Sequence, residues 1–483
     1  MLAFDGDPWA GWQPLERSYQ DIRDAARSDH YQIDVAQRHH RRSRLSQSHP
    51  IHSDREFDVT SALTLPTGSP LVSSPSEPPP GATPLPYELD RMLALRMPDL
   101  VATRRWIHAH PELSGHEIAT AALIVRELAA AGLEPRLLPQ GNGVICDIGR
   151  ASGPVIALRA DLDALPLTDA KDVPYRSTVD GACHACGHDV HTTVLLGTGL
   201  LLARLAAEGG LDGRVRLLFQ PAEETVPSGA PEIIAAGGLT DVAGIYALHC
   251  APYLPAGTVG VRTGPLTAAV DTVEVALSGA GGHTARPHLT TDLVHALGRV
   301  IVDVPALLTR RMDPRAPLSL VWGTVHAGTA NNTIPGDGFV RGTVRTLSVD
   351  AWREAQDVIP ELVRDVLAGT GAKADVRYHR GFPAVVNDEQ ATATITTGAT
   401  RALGQHGVVP AEISMGSEDF SFYLEQVPGA MFRLGTGDPD STIRRDLHHP
   451  GFDVDERSIG YGVRVMTHTA LAALDALPGE GAA

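Results

Sequence analysis

The hydrophobic pattern changes rhythm twice along the chain. Apolar positions recur at helical spacing over 98–110 and 116–131, which predicts two helices. Ser114, with Glu117 three residues on, reads as a capping box opening the second helix. Short apolar runs bounded by turns follow: VIALRA at 155–160, VRLLF at 215–219 and IYAL at 245–248. They are apolar on both parities, as expected of strands covered on both faces. VHTTVLLGTGLLLARLAAEG at 190–209 reads as a buried helix. Strands alternating with helices predict an α/β fold with a largely parallel sheet.

From about residue 268 the rhythm is different. DTVEVALSG reads as a strand, residues 290–308 as a helix, and PLSLVWGTVHAG and GFVRGTVRTL as two strands. Residues 349–369 read as a helix with a kink at Pro360, and AKADVRYHRG as a last strand. The order β-α-β-β-α-β matches a ferredoxin-like split unit. Residues 390–475 return to α/β character. The expected organisation is a catalytic domain over 88–267 and 381–476, interrupted by an inserted domain at 268–380. An N-terminal extension at 1–87 and a tail at 477–483 flank it.

The extension carries a basic patch, RHHRRSRL at 38–45, and a Pro/Ser/Thr/Gly-rich stretch at 64–86. It lacks a sustained apolar period, so it reads as a disordered segment. The basic patch is a solvated tail in this reading; contact with nucleic acid is the alternative.

Composition narrows the function. Of 483 residues, 43% are hydrophobic and 20% charged, ordinary globular values. The net charge of −17 argues against a nucleic-acid backbone or an anionic membrane as the main partner. No apolar run reaches about 18 residues free of charge, and the N-terminus lacks a basic segment followed by an apolar core. Four cysteines, Cys146, Cys183, Cys186 and Cys250, are too few for a disulfide scaffold. A cytoplasmic, reducing location is expected.

Ligands of open α/β sheets bind beyond the carboxyl ends of the strands. VIALRA is followed there by Asp161 and Asp163, VRLLFQ by Glu223 and Glu224, and IYAL by His249. CHACGHDVH brings Cys183, His184, Cys186, His188, Asp189 and His191 just before the buried helix, and LHHP brings His448 and His449. Imidazole, thiol and carboxylate are the ligand types of zinc and similar divalent ions. Each cluster also has a plain alternative. Paired glutamates can be a solvated turn, a lone histidine a satisfied core residue, and Cys183-x-x-Cys186 a redox pair. His449, Cys183 and Cys250 have only proximity in their favour. What favours a metal centre is that several clusters fall where one sheet would gather them.

These stretches also resemble a known family. RRWIHAHPELSGHE, LRADLDALPLTD, GACHACGHDVH, FQPAEET, ALHCAPYLPAGTVG, GAGGHTARPH, NNTIPG, GTVRTL, MGSEDFSFYL and LHHPGFDVDE are similar, in order and spacing over about 88–475, to the metal-dependent amidohydrolases. That metallopeptidase family includes N-acyl-amino-acid amidohydrolases, hippurate hydrolases and auxin–amino acid conjugate hydrolases, and more distantly aminoacylase and carboxypeptidase G. The resemblance implies a zinc-exopeptidase-like catalytic domain and an inserted dimerisation domain. It also implies two divalent ions per subunit, zinc or manganese, with cobalt or nickel as alternatives.

By motif position the resemblance makes Cys186, His188, Glu224, His249 and His448 the metal ligands and Glu223 the general base. Other branches carry His-x-Asp where this chain has Asp161-x-Asp163. Asp161 is therefore left out of the ligand set, and Asp163 is given a supporting role behind the ligands. In the inserted region, His283 resembles a histidine that reaches a neighbouring subunit's site and stabilises the oxyanion; a plain loop histidine is the alternative. Asn332, chosen over Asn331 by its spacing to Ile334-Pro335, and Arg345 resemble substrate contacts. A guanidinium suits a carboxylate; a strand-end salt bridge is the alternative for Arg345.

The chemistry is coherent. A thiolate can bridge two cations. A carboxylate uncommitted to metal can take a proton from water and pass it to the leaving amine. The expected reaction is amide hydrolysis of an N-acyl-amino acid or similar small amide, in a homodimer. A dipeptidase or exopeptidase with the same centre is one alternative, and a non-catalytic metal-stabilised binding protein another.

Overall fold

The computed structural model describes residues 84–150, 152–441 and 443–477. The expectations for the extension before residue 84 and for the tail after 477 lie outside the described residues. An eight-stranded sheet runs, in spatial order, Arg136–Leu137, Val144–Gly149, Arg214–Gln220, Val155–Asp161, Val242–Pro255, Gly429–Gly437, Val259–Val261 and Val408–Pro410. The four central strands are mutually parallel. Antiparallel pairing enters toward the two edges.

Both faces of the central strands are buried, which is why they are apolar on both parities. One parity, Ile156, Leu158, Leu217, Phe219, Tyr246, Leu248, Phe432 and Leu434, packs with the helices His188–Ala207 and Arg457–Ala476. The other, Val155, Ala157, Leu218, Ile245, Ala247 and Met431, packs against Ile233, Phe420 and Tyr423. Each fully buried Leu or Phe contributes about 1.5–3 kcal/mol.

The buried helix begins at His188, two residues earlier than its apolar pattern suggests. It is long and apolar enough to cross a membrane by length and composition, yet fifteen of its twenty residues are buried in this core. Its N-cap, Gly187, has φ +89°, and a Cβ there would stand 2.7 Å from Cys250 Sγ. Only glycine lets the helix start so close to the strand end.

A second sheet is antiparallel throughout, ordered Leu318–Ala327, Asp337–Thr346, Ala269–Ser278 and Lys373–Phe382. With the helices Leu293–Arg311 and Val349–Leu367 it has the β-α-β-β-α-β order expected of a ferredoxin-like unit. Leu293, Leu297, Val300, Val304 and Leu308 form the apolar stripe of the first helix, against Val273, Val275, Leu277, Val340 and Val344. Asp292 caps that helix through His295 N, and Ser348 caps the other through Ala351 N. The second helix passes through Pro360 as one element.

Two local expectations are corrected. The first helix is Pro84–Ala109, and it continues through Pro98 rather than starting there. The capping box at Ser114 does not form. Helix Ile118–Ala130 is capped instead by Glu112, whose carboxylate accepts from Ala119 N and Thr120 N. Ser114 Oγ donates to Asp163 at 2.6 Å, and Glu117 accepts from Gly115 N and Ala222 N. Both side chains have been drawn away to the strand ends.

Candidate metal centre

Five segments meet at the carboxyl ends of the central strands. Strand Val155–Asp161 runs into Leu162 and Asp163, and Arg214–Gln220 into the turn carrying Glu223 and Glu224. Val242–Pro255 carries His249, and the Gly187 cap delivers Cys186 and His188. His448 arrives from the C-terminal loop, where its N donates to Ala185 O at 2.7 Å. Ala222 and His448 both hold positive φ, at 53° and 62°. Such conformations cost non-glycine residues energy and cluster at functional sites. Ala222 is held there by Glu117, which accepts from its N–H, and by Gly229 N, which donates to its carbonyl.

Two groups of possible ligand atoms share one thiol. Cys186, His188 and His249 form one group, and Cys186, Glu224 and His448 the other; within each, the atoms lie within 4.8 Å of one another. Cys186 Sγ is 3.6 Å from His249 Nε2, and His448 Nε2 is 3.2 Å from Glu224 Oε1. Cys186, His188 and His249 are buried, whereas His448 is half-exposed at the rim. Glu223 is buried, with Oε2 3.9 Å from His188 Nε2.

Asp163 ties the cluster together. It accepts from Ser114 Oγ and Glu224 N and lies against His188 Nδ1. Asp161 is committed to other partners: its carboxylate pairs with Arg159 at 2.7 Å and with His191 Nδ1 at 2.6 Å, while Oδ2 lies 3.8 Å from His188 Nε2. His191 Nε2 accepts from Cys250 N, so both of its nitrogens are engaged. His449 Nδ1 accepts from Gly451 N, a turn contact. Cys183 lies 4.0 Å from Lys171 Nζ, in a separate buried group with His108 and Asp169. All four cysteines are free.

The electrostatics are those of a site crowded with acids. Burial, then Glu224 and Glu223, holds the Cys186 thiol well above its usual range. Burial, then Glu418, holds Glu223 well above the usual carboxylate range. Burial opposes charge on His188, yet Asp161 and then Asp163 push it up to about 10. Its Nε2 is buried without a hydrogen-bond partner. Acceptors crowding an unpartnered imidazole nitrogen and a buried thiol fit a bound cation.

The inserted-region candidates stand apart from this cluster. His283 and Asn332 are adjacent: residues Gly282–His283 and Thr333–Ile334 pair as a two-stranded ribbon, and Thr284 N donates to Asn332 O. His283 is exposed, and its Nδ1 accepts from Ala285 N. Among the described residues no hydrogen bond or ion pair joins either to the cluster. Arg345 is on a strand facing the MGSEDF loop, with Nη1 donating to Met415 O rather than pairing with an acid. A cavity of about 440 Å³ beside Pro252, Arg444 and Asp453 contains none of the cluster's residues in its lining.

Several buried residues were not singled out by sequence reasoning. Arg159 is fully buried and binds Asp161, Glu418 and Asp419. Arg433, discussed below, is another. The LRADLDALPLTD and MGSEDFSFYL stretches carried the signal of this layer.

The fold and the sequence match known proteins. Residues 157–472 match the family described as Peptidase family M20/M25/M40. The N-acetylcysteine deacetylase of Bacillus subtilis is 39% identical over 386 residues, 78% of this chain and 97% of that protein. A Rhodococcus jostii protein named as a glutamate–cysteine ligase is 46% identical over 367 residues, 76% of this chain. This chain spans only 46% of that protein's length. The crystal structure of the Bacillus subtilis YXEP protein, described as a dinuclear metal binding peptidase, superposes with a TM-score of 0.68 at 36% identity, covering 80% of this chain and all of that one. The chain is a metal-dependent hydrolase of amide bonds. It belongs to peptidase family M20/M25/M40.

Proposed function

We propose that the chain hydrolyses N-acyl-amino acids to a carboxylate and a free amino acid. The observation that carries this reading is the thiol of Cys186 shared by two ligand groups. That arrangement suits two divalent ions, with His188 and His249 toward one, Glu224 and His448 toward the other, and Cys186 between. Zinc or manganese is the proposed metal, with cobalt or nickel as alternatives; thiolate and imidazole favour zinc. When bound, the ions supply Lewis acidity toward the scissile carbonyl and toward water.

Glu223 is outside both groups that share the thiol, though it forms a third group of possible ligand atoms with His188 and Glu224; it is proposed as the base. A buried carboxylate beside the ligands can take a proton from water and return it to the departing amine. Asp163 holds His188 and the Glu224 backbone in place. His283 is proposed to donate to the oxyanion in a partner subunit's site, beside Asn332 as a substrate contact. Arg345 is proposed as a further contact at the Met415 loop.

The reading includes a homodimer formed through the smaller sheet. Leu318–Ala327 is an edge strand, and Val321 and Val325 are exposed on it, on opposite faces because a bulge between Trp322 and Thr324 shifts the register. Val294 and Val302, eight residues apart on the helix Leu293–Arg311, are exposed as well. Unpaired edges and exposed apolar stripes are what an isologous interface covers. A cytoplasmic location is proposed from the four free cysteines.

The test combines metal analysis of purified protein with amine release from N-acetyl- and N-benzoyl-amino acids. About two divalent ions per chain and chelator-sensitive release are expected. Chelator-insensitive release, or none, would overturn the reading. A strict need for a free α-amine would instead identify a dipeptidase.

A further inference from the structure

A buried guanidinium lies beside the cluster without a partner. Arg433 is on strand Gly429–Gly437, in register with His249 on the neighbouring parallel strand. Residues in register share a face. Arg433 is therefore on the face that carries His249, whose Nε2 approaches Cys186. Further back along these strands the same face is apolar, with Ile245, Ala247 and Met431. Only at the carboxyl ends does it become polar.

Arg433 is 6% exposed. Among the described residues its side chain makes no hydrogen bond and no ion pair within 4.0 Å. Arg159, on the same sheet face, makes the contrast plain. Its guanidinium has Asp161 and Asp419 at 2.7 Å and Glu418 at 3.1 Å. Buried charges are ordinarily paired in this way. Glu418, an acid near both arginines, is committed to Arg159. Burial pulls the Arg433 guanidinium below its usual range, with Tyr253 and Glu418 only partly offsetting it. A planar fork held uncompensated next to the reacting centre matches a carboxylate in charge and shape.

We propose that Arg433 receives a carboxylate of the substrate, so that the centre selects anionic amides. The proposal rests on the amidohydrolase reading above. The carboxylate has two possible sources with the same chemistry: the α-carboxylate of the amino acid half, or a carboxylate on the acyl half, as in an N-succinyl group.

The test compares the metal-loaded protein with Arg433→Met on three substrates: N-acetylmethionine, N-acetylmethionine amide and N-succinylmethionine amide. Loss of a buried charge-paired contact should raise KM for the matching carboxylate substrate by about 30-fold or more. The neutral amide should change little, and metal content should stay constant. The substrate that suffers identifies the source. Acetate titrated by calorimetry onto both proteins at equal metal content should bind more weakly to the variant. If Arg433→Met does not fold, Arg433→Lys keeps the charge and drops the fork, and a several-fold rise in KM is then expected. Unchanged KM for both carboxylate substrates, with unchanged acetate binding, overturns the assignment. If the wild type cleaves none of the three, the N-acyl-amino acid reading fails, while acetate binding still decides the role of Arg433.

Discussion

His188 and Asp163 are joined twice. The Nδ1 of His188 lies 2.9 Å from the backbone carbonyl of Asp163 and 3.2 Å from its carboxylate. Both contacts fall on one nitrogen, so the ring presents Nε2 toward Asp161, 3.8 Å away, and toward Glu223 and Glu224, each 3.9 Å away. The other oxygen of Asp163 accepts from Glu224 N at 3.0 Å. One carboxylate thus aims a proposed ligand of each group.

Removing that carboxylate should therefore loosen the metals without touching them. Asp163→Ala is expected to lower metal affinity by about 10–100-fold, the usual cost of losing an outer partner of a ligand. Competition with a chromogenic chelator measures this. Wild-type affinity in a folded variant would show that His188 is aimed by something else.

The two adjacent glutamates should fail differently. Glu223→Gln is expected to keep its metal and lose about 10²–10⁴ in kcat, the usual contribution of a general base. Glu224→Gln should lose metal first, because Glu224 stands with Cys186 and His448 in one ligand group. Metal content and turnover are measured on the same preparations. Equal metal loss in both would remove the division of labour.

The fold and the candidate site were legible in the sequence to the extent that local pattern governs them. Strands apolar on both parities announced a sheet buried on both faces, and the polar residues after each marked its functional edge. The glycine of CGHD acts through a local constraint, its φ of +89° against Cys250. What local pattern could not show is competition between partners distant in the chain. Ser114 and Glu117 have the spacing of a capping box. Asp163, 49 residues on, takes the serine hydroxyl, and Ala222, 105 residues on, takes the glutamate. Arg159 meets Asp419 across 260 residues. That contact exists only once strand register is set, so the pairing of LRADLDALPLTD with MGSEDFSFYL could not be read from either stretch.

Glu117 provides a pH test that does not depend on activity. Burial, and then Asp163, pushes it up to about 7 from an ordinary value near 4.5. Between these values the folded state binds more protons than the unfolded state. Its contribution to stability is therefore fully present below about pH 4.5 and is lost as pH rises through about 7. The slope is at most about 1.4 kcal/mol per pH unit. Glu117→Gln keeps an oxygen for Gly115 N and Ala222 N, and its new amide can donate to Asn142 Oδ1, which has no partner now. Urea unfolding at pH 5 and pH 7 should show the variant gaining stability relative to wild type as pH rises. Parallel curves would mean that Glu117 titrates normally.

The proposed oxyanion donor makes a prediction about which subunit supplies it. His283 is exposed on a ribbon of the smaller unit and makes no contact with the cluster of its own chain among the described residues. A donor acting only on the transition state lowers kcat when removed and leaves metal content alone. His283→Ala should thus be folded, metal-loaded and nearly inactive, as should Glu223→Gln. Mixing the two separates a shared site from a private one. If His283 serves the partner subunit, each heterodimer contains one site with an intact Glu223 and an intact His283, and up to half of its sites recover. If it serves its own subunit, every site keeps one defect and activity stays low. Subunit exchange is verified independently with differently tagged chains. Verified exchange without recovery would rule out the shared site, and with it the reason for placing the histidine on a dimerising unit.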